Sequence, residues 1–128
     1  MTISFTEREL DVMAVLWRLG SGTVAEVRDA LQEDFAYTTV LTVLRTLEDK
    51  GYVSHLVEGK AHRYVPVIDQ ETAGQSALAR VLDKVFSGSP ELLLTQLVAG
   101  ERLDSTRLRS LRKLLDDQLA ARRSRGDA

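Results

Sequence analysis

Residues Phe35–Pro66 read FAYTTVLTVLRTLEDKGYVSHLVEGKAHRYVP, and this stretch decides the fold of the chain. Apolar residues recur in its first half at about 100° per residue, which predicts a helix from Tyr37 to Lys50. The apolar side of that helix consists of Val40, Val43, Leu44 and Leu47. Gly51 ends the helix. Two strand-like segments follow it, Tyr52–Val57 and Ala61–Val67. Gly59 lies between them and suits a tight hairpin turn, because glycine tolerates backbone angles that other residues avoid.

The opposite side of the predicted helix is rich in threonine. This residue is a mediocre helix former, because its β-branched side chain restricts χ1. The first turns carry Tyr37, Thr38, Thr39 and Thr42, and Arg45, Thr46 and Asp49 continue the exposed side. An ordinary solvated face more often carries Glu, Lys and Gln. Threonine offers a hydroxyl to a base or phosphate and a methyl group to thymine, so this face predicts contact with base edges in the major groove.

Two shorter helices are predicted before this segment, each with a capping box at its start. Thr6 with Glu9 opens the first helix, and Thr23 with Glu26 opens the second. The first helix has an apolar stripe of Leu10, Met13, Leu16 and Trp17, and the second of Val24, Val27 and Leu31. Three helices followed by a hairpin are the outline of a winged helix-turn-helix, in which the third helix enters the major groove.

After Asp69 the pattern predicts helices only. Ser89-Pro90 resembles an N-cap followed by proline at the first helical position, and Asp104 caps a last helix. The middle helix, from Glu91 to about Ala99, is apolar on nearly every side and must be covered by other groups. Three short helices bury little surface alone, so we predict that two copies of the chain cover each other. The predicted dimer contacts are Leu78, Val81, Leu82, Val85, Leu93, Leu97, Leu108, Leu111 and Leu115.

The predicted fold is therefore mainly α with a small β wing. Residues 1–68 are expected to form a winged helix-turn-helix DNA-binding domain, and residues 69–128 a helical dimerisation domain. The chain contains no cysteine, which excludes disulfides, thiolate metal sites and cysteine nucleophiles. It has no Gly-rich phosphate loop and no nucleophile motif, so we expect neither an enzyme nor a cofactor. Without a signal peptide or an apolar span, a cytoplasmic location without membrane insertion is expected.

Charge is the observation that argues against DNA binding. Residues 1–68 hold 7 Lys/Arg and 10 Asp/Glu, a net charge of −3, whereas DNA-binding domains are usually basic. Local cations must therefore make the contacts, and the candidates are Arg45 on the helix, Lys60 at the hairpin tip and Arg63. His55 and His62 are interpreted as scattered surface groups, because no cysteine or carboxylate pattern supports a metal site.

Four motifs together resemble the BlaI/MecI/CopY family of bacterial repressors. They are T-x-R-E-L-D-V-M-x-x-L-W at Thr6–Trp17, Y-T-T-V-x-T-V-L at Tyr37–Leu44, K-G-Y-V at Lys50–Val53 and A-H-R-Y-x-P at Ala61–Pro66. The resemblance extends to about residue 120. It implies a homodimer that binds an inverted-repeat operator in double-stranded DNA, represses transcription and regulates antibiotic resistance, with a membrane sensor-protease as a possible signalling partner.

Two departures from the family pattern concern the operator and the inducer. Many relatives carry arginine at the position of Thr46, whereas here the arginine is Arg45, so operator preference is expected to differ.

The bond cleaved in the β-lactam branch is Asn-Phe, and the matching place is Gln96-Leu97. Induction by proteolysis elsewhere or by another signal stays open. The copper branch responds through a cysteine motif, which this chain lacks.

Two other functions are compatible with the residues alone. A winged helix can dock a protein partner in place of DNA, and the acidic balance of residues 1–68 favours that adaptor. A ligand-sensing regulator with a different inducer would have the same DNA output. Salt-sensitive binding to the chain's own promoter distinguishes DNA binding from an adaptor, because phosphate contacts release counterions.

Overall fold

A computed structural model describes residues 3–100 and 102–126. The elements in chain order are α1 (Glu7–Leu19), β1 (Gly22–Thr23), α2 (Val24–Ala30), α3 (Tyr37–Asp49), β2 (Val53–Glu58), β3 (Ala61–Pro66), α4 (Gln70–Val85), α5 (Pro90–Ala99) and α6 (Ser105–Ser124). The predicted fold class is confirmed: the described residues are mainly helical with one small antiparallel sheet. No helix among them is long and apolar enough to cross a membrane.

Side chains fix the starts of the helices as the capping patterns predict. Thr6 and Thr23 each accept a hydrogen bond from the amide of the glutamate three residues later, and that glutamate accepts from the threonine amide in return. Ser89 caps α5 with Pro90 at its first position, and Asp104 caps α6. Each cap satisfies amides that the helix itself leaves without a partner.

The core of the first part of the chain lies between α1, α2, α3 and the sheet. Its fully buried side chains include Met13, Leu16, Val27, Val40, Leu44, Leu47 and Tyr64. The prediction that Leu10 belongs to the buried apolar stripe of α1 is wrong. Leu10 is 46% exposed, whereas Val12 and Val15 are buried. Phe5 contacts Trp17 and Tyr52, with ring centroids 6.3 and 4.8 Å apart. These contacts close the core beside the start of α1.

The predicted hairpin forms. Three of its four strand ends differ from the predicted ends by one residue, and a third strand joins the sheet. Strands β2 and β3 pair antiparallel from Val53 opposite Pro66 to Glu58 opposite Ala61, and β1 pairs with the other edge of β3. Gly59 adopts φ +60° in the turn, where a side chain would be strained. Pro66 ends its strand, as expected for a residue without an amide donor.

The chain divides into two compact units, one up to Ala79 and one from Arg80, so the division falls inside α4. The functional domains predicted for residues 1–68 and 69–128 are a separate matter and stay a prediction. In the second unit, no described residue of α5 or α6 is buried. Large apolar side chains therefore lie at its surface, among them Leu94, Leu97, Leu114, Leu115 and Leu119.

Candidate DNA-binding surface

The exposed face of α3 presents a ladder of threonines. Thr38, Thr42 and Thr46 are exposed, and Thr39 is half-buried. The Thr42 hydroxyl donates to the Thr38 carbonyl at 2.9 Å, and the Thr46 hydroxyl donates to the Thr42 carbonyl at 2.9 Å. Because each hydroxyl proton is used within the helix, the oxygen faces an approaching group as an acceptor beside a methyl group. Such a face suits base amino groups and the thymine methyl.

The start of α3 differs from the starts of α1 and α2. Its N-cap is Ala36, which supplies no side-chain hydrogen bond, and its first turn contains no acidic residue. Helices α1 and α2 both hold a capping glutamate in their first turn. A helix N-terminus that is not capped by a carboxylate attracts phosphate through its amides and dipole. Tyr37 occupies the first position and is 47% exposed.

Lys60 lies at the tip of the hairpin, in the turn beside Gly59, and is exposed. The structure describes no ion pair for it. It is therefore suited to a backbone phosphate contact, in contrast to Arg63.

Arg63 is held by side chains of its own chain. Its guanidinium donates to both carboxylate oxygens of Glu26 at 3.0 and 2.9 Å, to Glu58 at 2.9 and 3.2 Å, and to Ser21 at 3.2 Å. The bonds to Glu26 first, and then those to Glu58, raise the pKa of Arg63, and the same contact with Arg63 lowers the pKa of Glu26. Because Glu26 also caps α2, this network ties the hairpin to the start of α2.

Arg45 is an exposed residue of α3 that interacts with Tyr64 of the hairpin. Tyr64, fully buried on β3, has a pKa raised first by burial and then by the charge of Glu48, while Arg45 acts in the opposite direction. Arg45 and Glu48 therefore both lie close to the Tyr64 hydroxyl. Arg45 therefore lies between the threonine ladder of α3 and the hairpin, which are the two predicted parts of the DNA-binding surface.

The sequence interpretation missed the role of the histidines. His55 contacts Glu48 at 2.6 Å and stacks on His62 with ring centroids 4.2 Å apart. The contact joins β2 to α3 across the turn at Gly51, so no periodic pattern predicts it. The strand register was the only available signal, since it places His55 opposite Tyr64 and His62 opposite Val57.

Several carboxylates of this part of the chain pair with basic side chains within the fold. Glu9 pairs with Lys50, and Glu26 and Glu58 both pair with Arg63. Glu48 contacts His55. Four of the ten carboxylates of residues 1–68 thus lie beside a basic side chain, but Lys50 and Arg63 are already counted in the net charge of −3, so these pairs localise the charge without reducing it.

The bond that the family resemblance marks for cleavage lies within a helix. Gln96 and Leu97 belong to α5, and the Gln96 carbonyl accepts from the Gly100 amide at 3.2 Å. Both residues are exposed. A protease that needs an extended substrate would have to unwind the last turns of α5 to reach this bond.

Comparison with known proteins decides the family. A family model described as penicillinase repressor matches residues 5–117. The transcriptional regulator BlaI of Mycobacterium tuberculosis is 39% identical over 127 residues, covering 94% of this chain and 88% of that protein. The chain belongs to the penicillinase repressor family. This family consists of DNA-binding transcriptional repressors. The match confirms the resemblance that the four sequence motifs indicated.

Two further comparisons agree with this family. The penicillinase repressor of Bacillus licheniformis is 25% identical over 114 residues, covering 88% of this chain and 89% of that protein. The solved DNA binding domain of the repressor BlaI has a TM-score of 0.50 at 32% identity, covering 55% of this chain and 88% of that domain. The winged-helix arrangement of α1–α3 and the hairpin is thus shared with a penicillinase repressor family DNA-binding domain.

Proposed function

We propose that this penicillinase repressor family protein binds an inverted-repeat operator as a homodimer, with α3 in the major groove and the wing on the DNA backbone. The threonine ladder of α3 is the observation that carries the proposal. Three exposed threonines follow one another at four-residue spacing, and the hydroxyls of Thr42 and Thr46 are oriented by bonds to the helix. A surface that needed only solubility would not use three poor helix formers there.

Within this proposal the contacts have separate roles. Thr38, Thr39, Thr42 and Thr46 face base edges, Tyr37 and Arg45 contact the flanks, and Lys60 contacts a phosphate. Arg63 is assigned to holding the wing, because its guanidinium already donates to Glu26, Glu58 and Ser21. Phosphate contacts by Lys60 position the protein without selecting a sequence, so selectivity rests on α3.

The exposed apolar side chains of α4–α6 support the homodimer. Leu78, Val81, Val85, Leu97, Leu108 and Leu115 are each between 39% and 65% exposed in the single chain. Leu82, Leu93 and Leu111 are partly buried. Apolar surface of this extent favours a protein interface. A twofold dimer then presents two α3 helices to two half-sites, and its symmetry matches an inverted repeat.

The deciding experiment is binding of the full chain to a duplex that covers its own promoter. Fluorescence anisotropy at several salt concentrations should show affinity that falls steeply with salt, since each phosphate contact releases counterions. Footprinting should then show two protected half-sites about one helical turn apart or a multiple of it. Binding of equal strength to promoter and unrelated duplex would contradict the proposal.

Substitutions at Thr42 separate the two chemical features of threonine. Thr42→Ala removes both hydroxyl and methyl, and should weaken specific binding by about 1 kcal/mol or more. Thr42→Val keeps a methyl group and Thr42→Ser keeps the hydroxyl, so the variant that retains wild-type affinity identifies the feature that contacts the base. The measurement is anisotropy with the operator duplex and an unrelated duplex. Unchanged discrimination in all three variants would remove Thr42 from the base contacts.

Lys60→Ala tests the wing. It should weaken binding to operator and unrelated DNA alike and reduce the slope of log affinity against log salt by about one unit. Arg63→Gln is the matched control, because it removes the same charge from the same hairpin at a residue already paired with Glu26 and Glu58. It should leave the salt slope unchanged. A slope reduced by Arg63→Gln and not by Lys60→Ala would reverse the two assignments.

A further inference from the structure

The histidine pair, His55 and His62, joins the wing to α3. The two rings are nearly parallel, at an interplanar angle of 11° with centroids 4.2 Å apart. Nδ1 of His55 lies 2.6 Å from a carboxylate oxygen of Glu48, near the end of α3. The register places both histidines on one face of the hairpin, the same face as Tyr64. They are the only histidines of the chain.

The pair lies between the two cations of the proposed DNA-binding surface. On the helix side, Glu48 is one turn from Arg45, and both act on the Tyr64 hydroxyl. On the hairpin side, exposed His62 is two residues from Lys60 at the tip. A DNA backbone that spans from α3 to Lys60 therefore passes close to His62.

Charged and polar groups from α3 and β3 surround the pair. From α3, Glu48 contacts His55, and from β3, Tyr64 packs against both rings, while Arg45 and Tyr37 act on Tyr64. The other face of the hairpin carries Glu58 and Arg63, which are bonded to each other. Two parallel imidazolium rings at 4.2 Å would repel each other, so one additional proton per pair is the most that a docked phosphate can draw in.

We propose that the histidine pair is a proton-linked contact to the DNA backbone, which takes up at most one proton per subunit when a phosphate docks against His62. The inference rests on the proposed function and adds a regulated contact to it. Histidine changes charge between about pH 5 and pH 8, and a phosphate stabilises the charged form. Operator affinity should therefore rise as pH falls through that range.

The test is the affinity of the full chain for its promoter duplex between about pH 6 and pH 8 at constant ionic strength. Because up to one proton enters at each of the two half-sites, wild type should bind this duplex more tightly by about tenfold, and at most by about a hundredfold, for each unit of decreasing pH. His62→Gln should bind with nearly the same affinity across the range. His62 is exposed, so this variant is expected to fold, which circular dichroism checks.

Two further variants make the result specific. Lys60→Ala should weaken binding at every pH and keep the wild-type pH response, because it removes a charge without removing the imidazoles. The double variant His55→Gln/His62→Gln has no imidazole left and should show no response. A wild-type pH response in either His62→Gln or the double variant would overturn the proposal, as would a wild-type affinity that does not change with pH. Absence of salt-sensitive promoter binding at every pH would instead defeat the proposed function.

Discussion

Leu115→Asp should convert the protein to a monomer and lower its affinity for an inverted-repeat operator by about a hundredfold or more. Leu115 lies on α6, is 54% exposed in the single chain and shares its side of the helix with Leu108, Leu111 and Leu119. A carboxylate in a buried apolar interface loses its hydration without gaining a partner, so the dimer is destabilised strongly. Sedimentation velocity measures the oligomeric state, and anisotropy measures the affinity.

The hundredfold loss follows from the linkage of two weak sites. Once one α3 occupies its half-site, the second is held near its own half-site at a high effective concentration, and this gain disappears in a monomer. The acidic balance of residues 1–68 makes the linkage more important, because a single winged-helix unit has little electrostatic attraction for DNA. Affinity for a single half-site should change little in the variant.

Ala120→Asp is the matched control for this experiment. It places the same charge on the same helix, on the side opposite the leucines at about 100° per residue. The control should remain a dimer and retain operator affinity. A dimeric Leu115→Asp protein, or a monomeric Ala120→Asp protein, would show that the leucine side of α6 is not the interface.

Local patterns predicted the elements of the fold well because each signal acts over a few residues. The capping boxes at Thr6 and Thr23 need only a threonine and a glutamate three positions apart, and both form as predicted. The ends of α3 and the turn at Gly59 likewise follow from residues adjacent in sequence. The two-residue strand β1 was not predicted, since its pairing with β3 joins segments about 40 residues apart.

The side-chain contacts of the surface depended on pairing that no local pattern contains. Arg63 is adjacent to no glutamate in sequence, yet the register of β3 and the position of α2 bring Glu26 and Glu58 to it. Leu10 fits the helical stripe of α1, but the buried side of that helix contains Val12 and Val15 and leaves Leu10 exposed. Spacing can select a helix face only approximately, and the packing partner decides which edge of the stripe is buried.

Glu9→Gln should lower the free energy of unfolding at neutral pH by about 2 kcal/mol. Glu9 is only 4% exposed, and one of its carboxylate oxygens accepts from the Thr6 amide and from Nζ of Lys50, both at 2.8 Å. Lys50 follows the last residue of α3, so this single carboxylate both caps α1 and joins it to the end of α3. Glutamine can accept the bond from Thr6 but leaves the ammonium group without its counter-charge.

The pH dependence of this effect has a definite sign. Burial alone raises the pKa of Glu9, but the bonds from Lys50 and Thr6 outweigh burial, so the pKa of Glu9 is below its ordinary value of 4.5. A lowered carboxyl pKa contributes stability that is present above 4.5 and is lost as pH falls through the folded-state value. Wild type and Glu9→Gln should therefore differ most at neutral pH and converge in acid.

Urea unfolding of both proteins at about pH 7 and about pH 3 checks this, at one fixed protein concentration because the proposed dimer would make stability concentration-dependent. Glu7→Gln is the matched control: it neutralises an exposed glutamate in the same first turn and should change stability by less than about 0.5 kcal/mol. An equal difference between wild type and Glu9→Gln at both pH values would mean that packing of the side chain, and not the ionised pair with Lys50, stabilises the junction of α1 and α3. In that case the orientation of α3 toward DNA would depend on the apolar core around Leu44 and Leu47 alone.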